Sequence, residues 1–542
     1  MGGQALCVLT GDQAHPVSVS DRAGGAIVVW QDSRTGSSKL SAMRITSWGA
    51  LASGWPAGGL AVCSAALDQT SHAVAADGAG GAFIAWEDYR TGGADADIYL
   101  QRVTANGTLA TGWPAGGVAV CTATGGQSYP AIAADTSGAF VVWQDRRGAS
   151  SNIYAQRVNG AGVIQWAANG LAVCAQASDQ QYPAILADGS RGAVICWEDQ
   201  RSGGSDLYAQ RVNASGVSQW AAAGVAVCTA ALEQDHPRML PIVGGSLVVW
   251  DDSRNLNTDI YAQSLSNAGV TQWATDGVPV CADLSEQYAS TPVSDGAGGM
   301  FVAWNDFRNA SGDIYLQRVT PSGAIATGWP LNGKAACSVS GNQFDPVAVS
   351  DGSGGVILSW DDFRDGSISY DIYAQRLTAT GAFASGWPSA GLMLCGEAND
   401  QLLPSIVGDQ AGGAVITWYD FRSGNADVYA MRVTASGGAA LVGVDPADPG
   451  RAETLEAYPN PMRSWTALRF ALPRPARVTL EIVDLAGRTV RALAEGASLE
   501  PGVHAWTWDG RTSGGGRAPA GVYLVVLHAG PNSLVRKVAR VE

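Results

Sequence analysis

The chain is poor in the residues that carry chemistry. It holds five histidines, and only His15, His72 and His236 fall before residue 437. No Gly-x-Ser-x-Gly elbow, His-Glu-x-x-His pair or phosphate-binding glycine loop occurs, which removes the common signatures of serine hydrolases, zinc proteases and nucleotide-binding enzymes. Positive charge is also scarce: 33 Lys/Arg stand against 48 Asp/Glu, a net of −15. That balance argues against nucleic acid, which rewards clustered cations. Charged residues make up only 15% of the chain. No apolar run reaches the roughly 18 residues that a membrane-spanning helix needs. The first residues, Met1-Gly-Gly-Gln-Ala-Leu-Cys7, lack the basic and apolar regions of a signal peptide. They also begin in mid-repeat, which predicts that an upstream part of the gene, with any export signal, is missing.

What is abundant is glycine, 69 residues of it, with 46% hydrophobic residues and 19 tryptophans. The mix suits many short strands joined by tight turns. The phrase Trp-x-Asp-x-Arg occurs eight times, at Trp30, Trp86, Trp143, Trp197, Trp250, Trp304, Trp360 and Trp418. Each period holds four strand signals. A Gln-led strand is followed by an Asp/Gly-rich turn, and then by an apolar run ending in Trp-x-Asp. A third strand of the Ile153-Tyr-Ala-Gln-Arg-Val158 type and a short strand ending in Cys complete it. The second strand is apolar on both faces and must be covered on both sides.

Four antiparallel strands per repeat of roughly 55 residues predict an all-β fold: an eight-bladed β-propeller of four-stranded blades. The Gln strand, rich in Ala and Ser, is expected innermost and the Cys strand outermost. The eighth repeat lacks a Cys strand, and Ala5-Leu-Cys-Val8 at the N-terminus is expected to supply it, closing the ring. The expected organisation is a propeller over 1–436, a Pro/Gly/Asp-rich linker over 437–455 and a separate Ig-like β-sandwich of some seven strands over 456–542. The last segment carries 11 Lys/Arg against 7 Asp/Glu, and the remainder 22 against 41.

Eight of the nine cysteines share one repeat position, too far apart for disulfides between successive units. Cys196 is the exception and could pair with Cys174 or Cys228. The recurrent Asp-x-Arg pair reads as a charged latch that fixes each hairpin rather than as a ring of ligand-binding charges. Calcium is the one cofactor with any signal, at Asp361-Asp362-Phe-Arg-Asp365-Gly366 and at Asp95-Ala-Asp97. No full cation loop is present, so no metal or cofactor is assigned. The loop tryptophans Trp55, Trp113, Trp166, Trp220, Trp273, Trp329 and Trp387 stand eight residues before each Cys. That register favours packing on the same blade's outer strand over a carbohydrate platform. No catalytic residue stands out from the repeats.

Tyr458-Pro-Asn-Pro461, Leu468-Arg-Phe-Ala-Leu-Pro473 and Asp484-Leu-Ala-Gly-Arg488 resemble the C-terminal sorting domain of proteins exported by the type IX (Por) secretion system. Trp508-Asp-Gly-Arg-Thr-Ser-Gly-Gly-Gly-Arg-Ala-Pro-Ala-Gly-Val-Tyr523 resembles the Ig-like domain of flagellar hook-assembly proteins. The repeats resemble, more loosely, bacterial surface propellers. The resemblance implies a secreted or cell-surface bacterial protein that meets the type IX machinery through its C-terminal domain. Its propeller would be a binding or structural scaffold for a surface glycan or protein. The alternative is an extracellular polysaccharide-acting enzyme with its site at one mouth of the channel. Loops of similar length in every repeat favour the scaffold.

Overall fold

The computed structural model describes residues 2–364, 369–440, 455–458, 460–472, 475–499, 502–529 and 532–541. No helix occurs among them. They fall into two compact units, residues 1–47 with 54–439 and residues 48–53 with 440–542.

The first unit is a ring of eight antiparallel sheets. The third blade is representative: Gln127–Asp135, Gly138–Asp145, Asn152–Asn159 and Leu171–Cys174 pair in sequence order. The Gln strand is innermost, and each packs against the Gln strands of both neighbours. Gln13–Ser20 packs on Gln401–Gly408 and closes the circle. The second strand is buried along its whole length, as at Ala82–Asp88 and Ala193–Asp199, because each blade is sandwiched between two others. In the eighth blade the outer position is taken by Gln4–Cys7, with Gln4 opposite Ala430 and Ala5 opposite Tyr429. Ala439–Ala440 also pairs with the third strand of that blade, so regular pairing runs past the expected boundary at 436. Most of the expected linker, 441–454, lies outside the described residues.

The Asp-x-Arg pairs form a latch that is larger than the sequence reading. In every blade the Trp indole N–H donates to the Asp two residues on, at 2.7–3.2 Å. The same carboxylate takes the Arg fork; in the third blade Arg147 Nε reaches Asp145 Oδ1 at 2.8 Å and its Nη2 reaches Oδ2 at 2.6 Å. The Arg then crosses to the preceding blade, where it donates to the outer-strand Cys sulfur at 3.0–3.5 Å. In seven blades it also lies over a third-strand Tyr ring, 3.5–4.1 Å from the centroid.

A last donation goes to the carbonyl before a left-handed glycine at the start of the blade's own outer strand. For Arg90 this is Gly116 O, at 2.7 Å. A Cβ on the next residue, Gly117, would lie 2.5 Å from the Trp86 ring, so only glycine fits there. The ring-closing joint uses the same parts: Arg34 reaches Cys7, and Arg422 reaches Gly2 O. All nine cysteines are free and buried, so Cys196 forms no disulfide with Cys174 or Cys228. The recurrent eight are sulfur acceptors at blade joints.

A second ion pair fixes the other end of six blades. The turn Asp caps two backbone N–H groups, as Asp77 does for Ala79 and Gly81, and pairs with the third-strand Arg at 2.7–2.9 Å. The fifth repeat lacks the turn Asp and also has Ser264 in place of the Arg, so neither charge is left alone.

Among the described residues the second unit has seven strands in two sheets. Leu455–Tyr458, Thr466–Leu472 and Gly502–Trp508 form one. Thr489–Leu499, Ala476–Val483, Gly521–Ala529 and Asn532–Arg540 form the other. Leu468, Phe470, Leu480, Ile482, Trp508, Val525 and Leu527 fill the space between. Met462 is fully buried in the same core.

Replacing Asp145 by Ala leaves the Trp143 indole and the Arg147 guanidinium without their acceptor in a dry joint. Removing one partner of a buried ion pair costs roughly 3–5 kcal/mol. Urea unfolding of the full chain, followed by tryptophan fluorescence, is expected to show a loss of that order. A loss below about 1 kcal/mol would remove the latch from the stability of the ring.

Candidate functional site

Each Gln strand carries an irregularity next to its start. The pairing register slips just after the residue following the Gln, as between Ser128 and Ala131. The residue two after the Gln sits in the left-handed region in all eight blades: His15, Ser71, Tyr129, Tyr182, His236, Ala289, Asp345 and Leu403, with φ between 47° and 58°. Each such residue costs of order 1–3 kcal/mol in backbone strain. The Gln itself is fully buried, and its amide binds turn carbonyls, as Gln127 Nε2 does to Ala123 O at 3.1 Å. The residue after the bulge is buried Pro in six blades, Pro130 and Pro183 among them. The bulge therefore turns one side chain per blade outward two residues from the buried Gln. Seven of the eight are exposed and Ala289 is half-buried.

In four blades the N–H of the bulge is held from the preceding blade by the middle residue of Trp-x-Asp. Glu87 Oε1 accepts from Tyr129 N at 2.8 Å, and Glu198 Oε1 accepts from His236 N at 2.8 Å. Asp361 Oδ2 accepts from Leu403 N at 3.1 Å. Asp251 Oδ2 accepts from Ala289 N at 3.4 Å, and the corresponding residues elsewhere are Gln31, Gln144, Asn305 and Tyr419.

These two columns break the repeat, and they break it most strongly in the third to fifth blades. The rings of Tyr129 and Tyr182 meet edge-on, with centroids 4.8 Å apart, and Tyr182 lies 6.1 Å from His236. Together they border a 550 Å³ cavity over Pro130, Pro183 and Arg238 on the inner strands. A second cavity of 410 Å³ adjoins at His236 and Arg238, lined also by Asp235, Asp251, Tyr288 and Ser290. Asp251 Oδ2 lies 3.4 Å from His236 Nδ1, and this contact raises the imidazole's affinity for a proton. Burial pushes Glu198 up to about 7, against partial relief from the His236 N–H. Burial raises Asp235 as well. Burial lowers His72, at the edge of the first cavity, to about 4, so it is neutral near pH 7.

The sequence-predicted features fall elsewhere. The Asp-x-Arg pairs are joints, as above. Asp361 holds a neighbour's N–H and Asp362 belongs to a latch; Asp365 and Gly366 lie outside the described residues. Among the described residues no group of three or more His, Cys, Asp or Glu is placed to hold a metal ion. The loop tryptophans cluster with the outer strand of their own blade as expected, Trp113 with Val120 and Cys121 and Trp166 with Val173 and Cys174, and their indole N–H groups also reach across to the next blade. Trp113 Nε1 donates to Gly160 O and Trp166 Nε1 to Ala214 O. In six of the seven blades that carry such a tryptophan, the same carbonyl also takes the third-strand Arg, as Arg102 at Gly160. The tyrosine arc and its carboxylates escape a reading that looks only for what repeats. The signal for them is the opposite one, the columns whose residue type changes from copy to copy.

Residues 463–532 match the FlgD Ig-like domain family. A 67-residue stretch is 42% identical to the basal-body rod modification protein FlgD of Salmonella typhimurium, covering 12% of this chain and 28% of that protein. The Salmonella typhi protein matches to the same extent. The chain thus spans under a third of the length of these curated relatives. Among solved structures, an α-L-arabinanase of Penicillium chrysogenum complexed with arabinobiose is 11% identical, covering 56% of this chain and 93% of that one at a TM-score of 0.33. A puromycin-hydrolyzing peptidase of Mycobacterium tuberculosis is 12% identical, covering 77% of this chain and 60% of that one at a TM-score of 0.40. Scores at this level carry no statement about chemistry. The propeller architecture rests on the strand pairing itself.

The Glu198 carboxyl makes a test of the site's electrostatics. Its native value of about 7 lies above the ordinary 4.5, so between those values the folded state binds the proton more tightly than the unfolded chain. Stability from this group is therefore present below about pH 4.5 and falls as pH rises to about 7. Glu198→Gln keeps an acceptor for His236 N and removes the titration. The variant is expected to be more stable than the parent at pH 8, by up to about 3 kcal/mol, with the gap closing below about pH 4.5. Thermal melts across pH read it; a pH-independent gap would overturn the assignment.

Proposed function

We propose that this protein is a binding scaffold that works outside the cell or at the cell surface. Its propeller would present one recognition surface at the bulged mouth of the channel. The Ig-like unit would serve as its export and attachment module, read by type IX secretion machinery. The observation that carries this reading is where the repeat is kept and where it is lost. Latch, seam tryptophan and turn recur nearly unchanged around the ring, while the exposed bulge position runs through His, Ser, Tyr, Tyr, His, Ala, Asp and Leu. Architecture constrains the first set. Nothing in the ring's packing asks for tyrosine at Tyr129 or Tyr182, which are 48% and 37% exposed.

A pair of exposed aromatic rings beside a cavity favours a ligand with a flat apolar face, and a surface glycan has one on each sugar ring. One observation favours the enzymatic alternative. Glu198 keeps its proton to about pH 7, the state a general acid on polysaccharide needs.

Both readings are tested by titrating the full chain with soluble neutral, acidic and amino-sugar oligosaccharides while assaying for new reducing ends. Binding without cleavage is the expected outcome. Tyr129→Ala with Tyr182→Ala is expected to weaken that binding at least tenfold and leave the melting temperature within a few degrees. Cleavage lost in Glu198→Gln would establish the enzyme instead. Unchanged affinity in the double variant would move the recognition surface away from this mouth.

A further inference from the structure

We infer that the mouth between the third and sixth blades takes a saccharide bearing a protonated amine, its ring on the Tyr129–Tyr182 arc and its ammonium between Asp251 and Asp235. This rests on the reading of the mouth as a glycan-binding surface and adds the charge of the ligand.

The first observation is the balance of donors and acceptors. Asp251 and Asp235 line the smaller cavity. Ionised carboxylates only accept. The cationic side chains lining the two cavities are Arg238 and, when protonated, His236. Arg238 forms no ion pair with a described carboxylate, and its Nη1 points back to Pro237 O at 3.5 Å. His236 meets one oxygen of Asp251 and leaves the other.

The second observation is that other oxygen. Asp251 is 7% exposed, and its Oδ1 accepts no hydrogen bond from any described residue. A buried carboxylate oxygen without a donor is costly, and an ammonium that brings three donors and a positive charge relieves it. Asp361, at the same position of the seventh blade, leaves its Oδ1 without a donor in the same way but lines neither of these two cavities, whereas Asp251 lines the smaller one. Asp251 is the residue before a latch Asp, on the opposite face of the strand, where no Arg reaches.

The third observation is geometry. The two cavities share His236 and Arg238, so the aromatic floor and the acidic recess are parts of one continuous surface. A sugar ring on Tyr182 carries its substituents toward His236, the residue 6.1 Å away that both Glu198 and Asp251 touch. Aromatic faces next to carboxylates also favour the cation directly.

The test compares two probes with the same ring and different charge: a glucosamine oligomer and the N-acetylglucosamine oligomer of equal length. Each is titrated into the full chain near pH 6, where the free amine is protonated. The glucosamine oligomer is expected to bind at least tenfold tighter, with the difference shrinking as salt is raised. Asp251→Asn, checked by its melting temperature, is expected to bring the two probes within about twofold of each other, and Asp235→Asn to do so in part. Equal binding of both probes, lost in the Tyr129/Tyr182 double variant, would overturn the amine and leave the aromatic platform standing. Binding of neither probe would overturn the amine as well, and the platform would then stand or fall on the neutral and acidic oligosaccharides. A preference for glucosamine that survives Asp251→Asn would place the cation elsewhere and overturn the site.

Discussion

A carboxylate shut away from water must be given donors from the protein, and this ring is assembled around eight that are. Each latch Asp is at most 1% exposed. It takes the indole N–H of its own strand and the guanidinium fork of its own hairpin, and the Arg spends its remaining donors on a sulfur in one blade and a carbonyl in another. One buried charge thus draws three strands from two blades to a single point. An isolated surface pair of this kind would contribute little. Here the Asp is dry and the Arg is about one-fifth exposed, so removing either partner leaves a charge with nowhere to go. The requirement explains residues that otherwise look unrelated. Glycine precedes the outer strand because the backbone must lie on the Trp ring to present its carbonyl. Cysteine recurs because a small buried acceptor is wanted at the joint. Tyr lies beneath the guanidinium because its face accepts a cation.

With the joints made this way, the ring tolerates change elsewhere. The fifth repeat drops both halves of the turn ion pair together, Asp and Arg, and its seam carbonyl, Pro321 O, then takes the Trp273 indole without an Arg beside it. The middle residue of Trp-x-Asp holds the next blade's bulge N–H where it is Glu or Asp, and the ring closes equally with Gln, Asn or Tyr in that place. That latitude is what allows acids to be gathered on one side of the channel mouth without disturbing the blade.

Period, strand order, innermost and outermost positions and the closing N-terminal strand are all legible in the sequence, because each is a repeated constraint and repetition is visible without coordinates. The seven strands of the second unit are legible for a simpler reason, the alternation of apolar residues between turn signals. The Arg–Cys contact is not, since it joins residues 26 or 27 apart in different blades and neither residue type advertises the other. The seam role of the loop tryptophans is hidden in the same way: their register to the Cys of their own blade is real, but the carbonyl they bind belongs to the next. The mouth is the hardest part to read. Tyr129, Tyr182 and His236 look like noise in a repeat, and only the bulge shows that all three leave the core at one place.

The bulge itself is not the evidence for function. Strained residues often mark functional sites, but here the strain is present in every blade, including those that show only Ser71 or Ala289. Its cause is structural, since the fully buried Gln recurs in all eight blades and the chain slips out of register after it with or without a following Pro. What distinguishes the third to fifth blades is the side chain placed on that shared backbone. The same three blades also carry a distinct seam loop, Gly-Val-x-Gln-Trp at Gly162, Gly216 and Gly269, where four of the others have Gly-Trp-Pro. Two independent columns, one at the inner edge and one at the outer seam, thus set off one contiguous sector of the ring. A scaffold selected only to hold its shape has no reason to differ by sector, and a ligand engaged on one side of the channel supplies one.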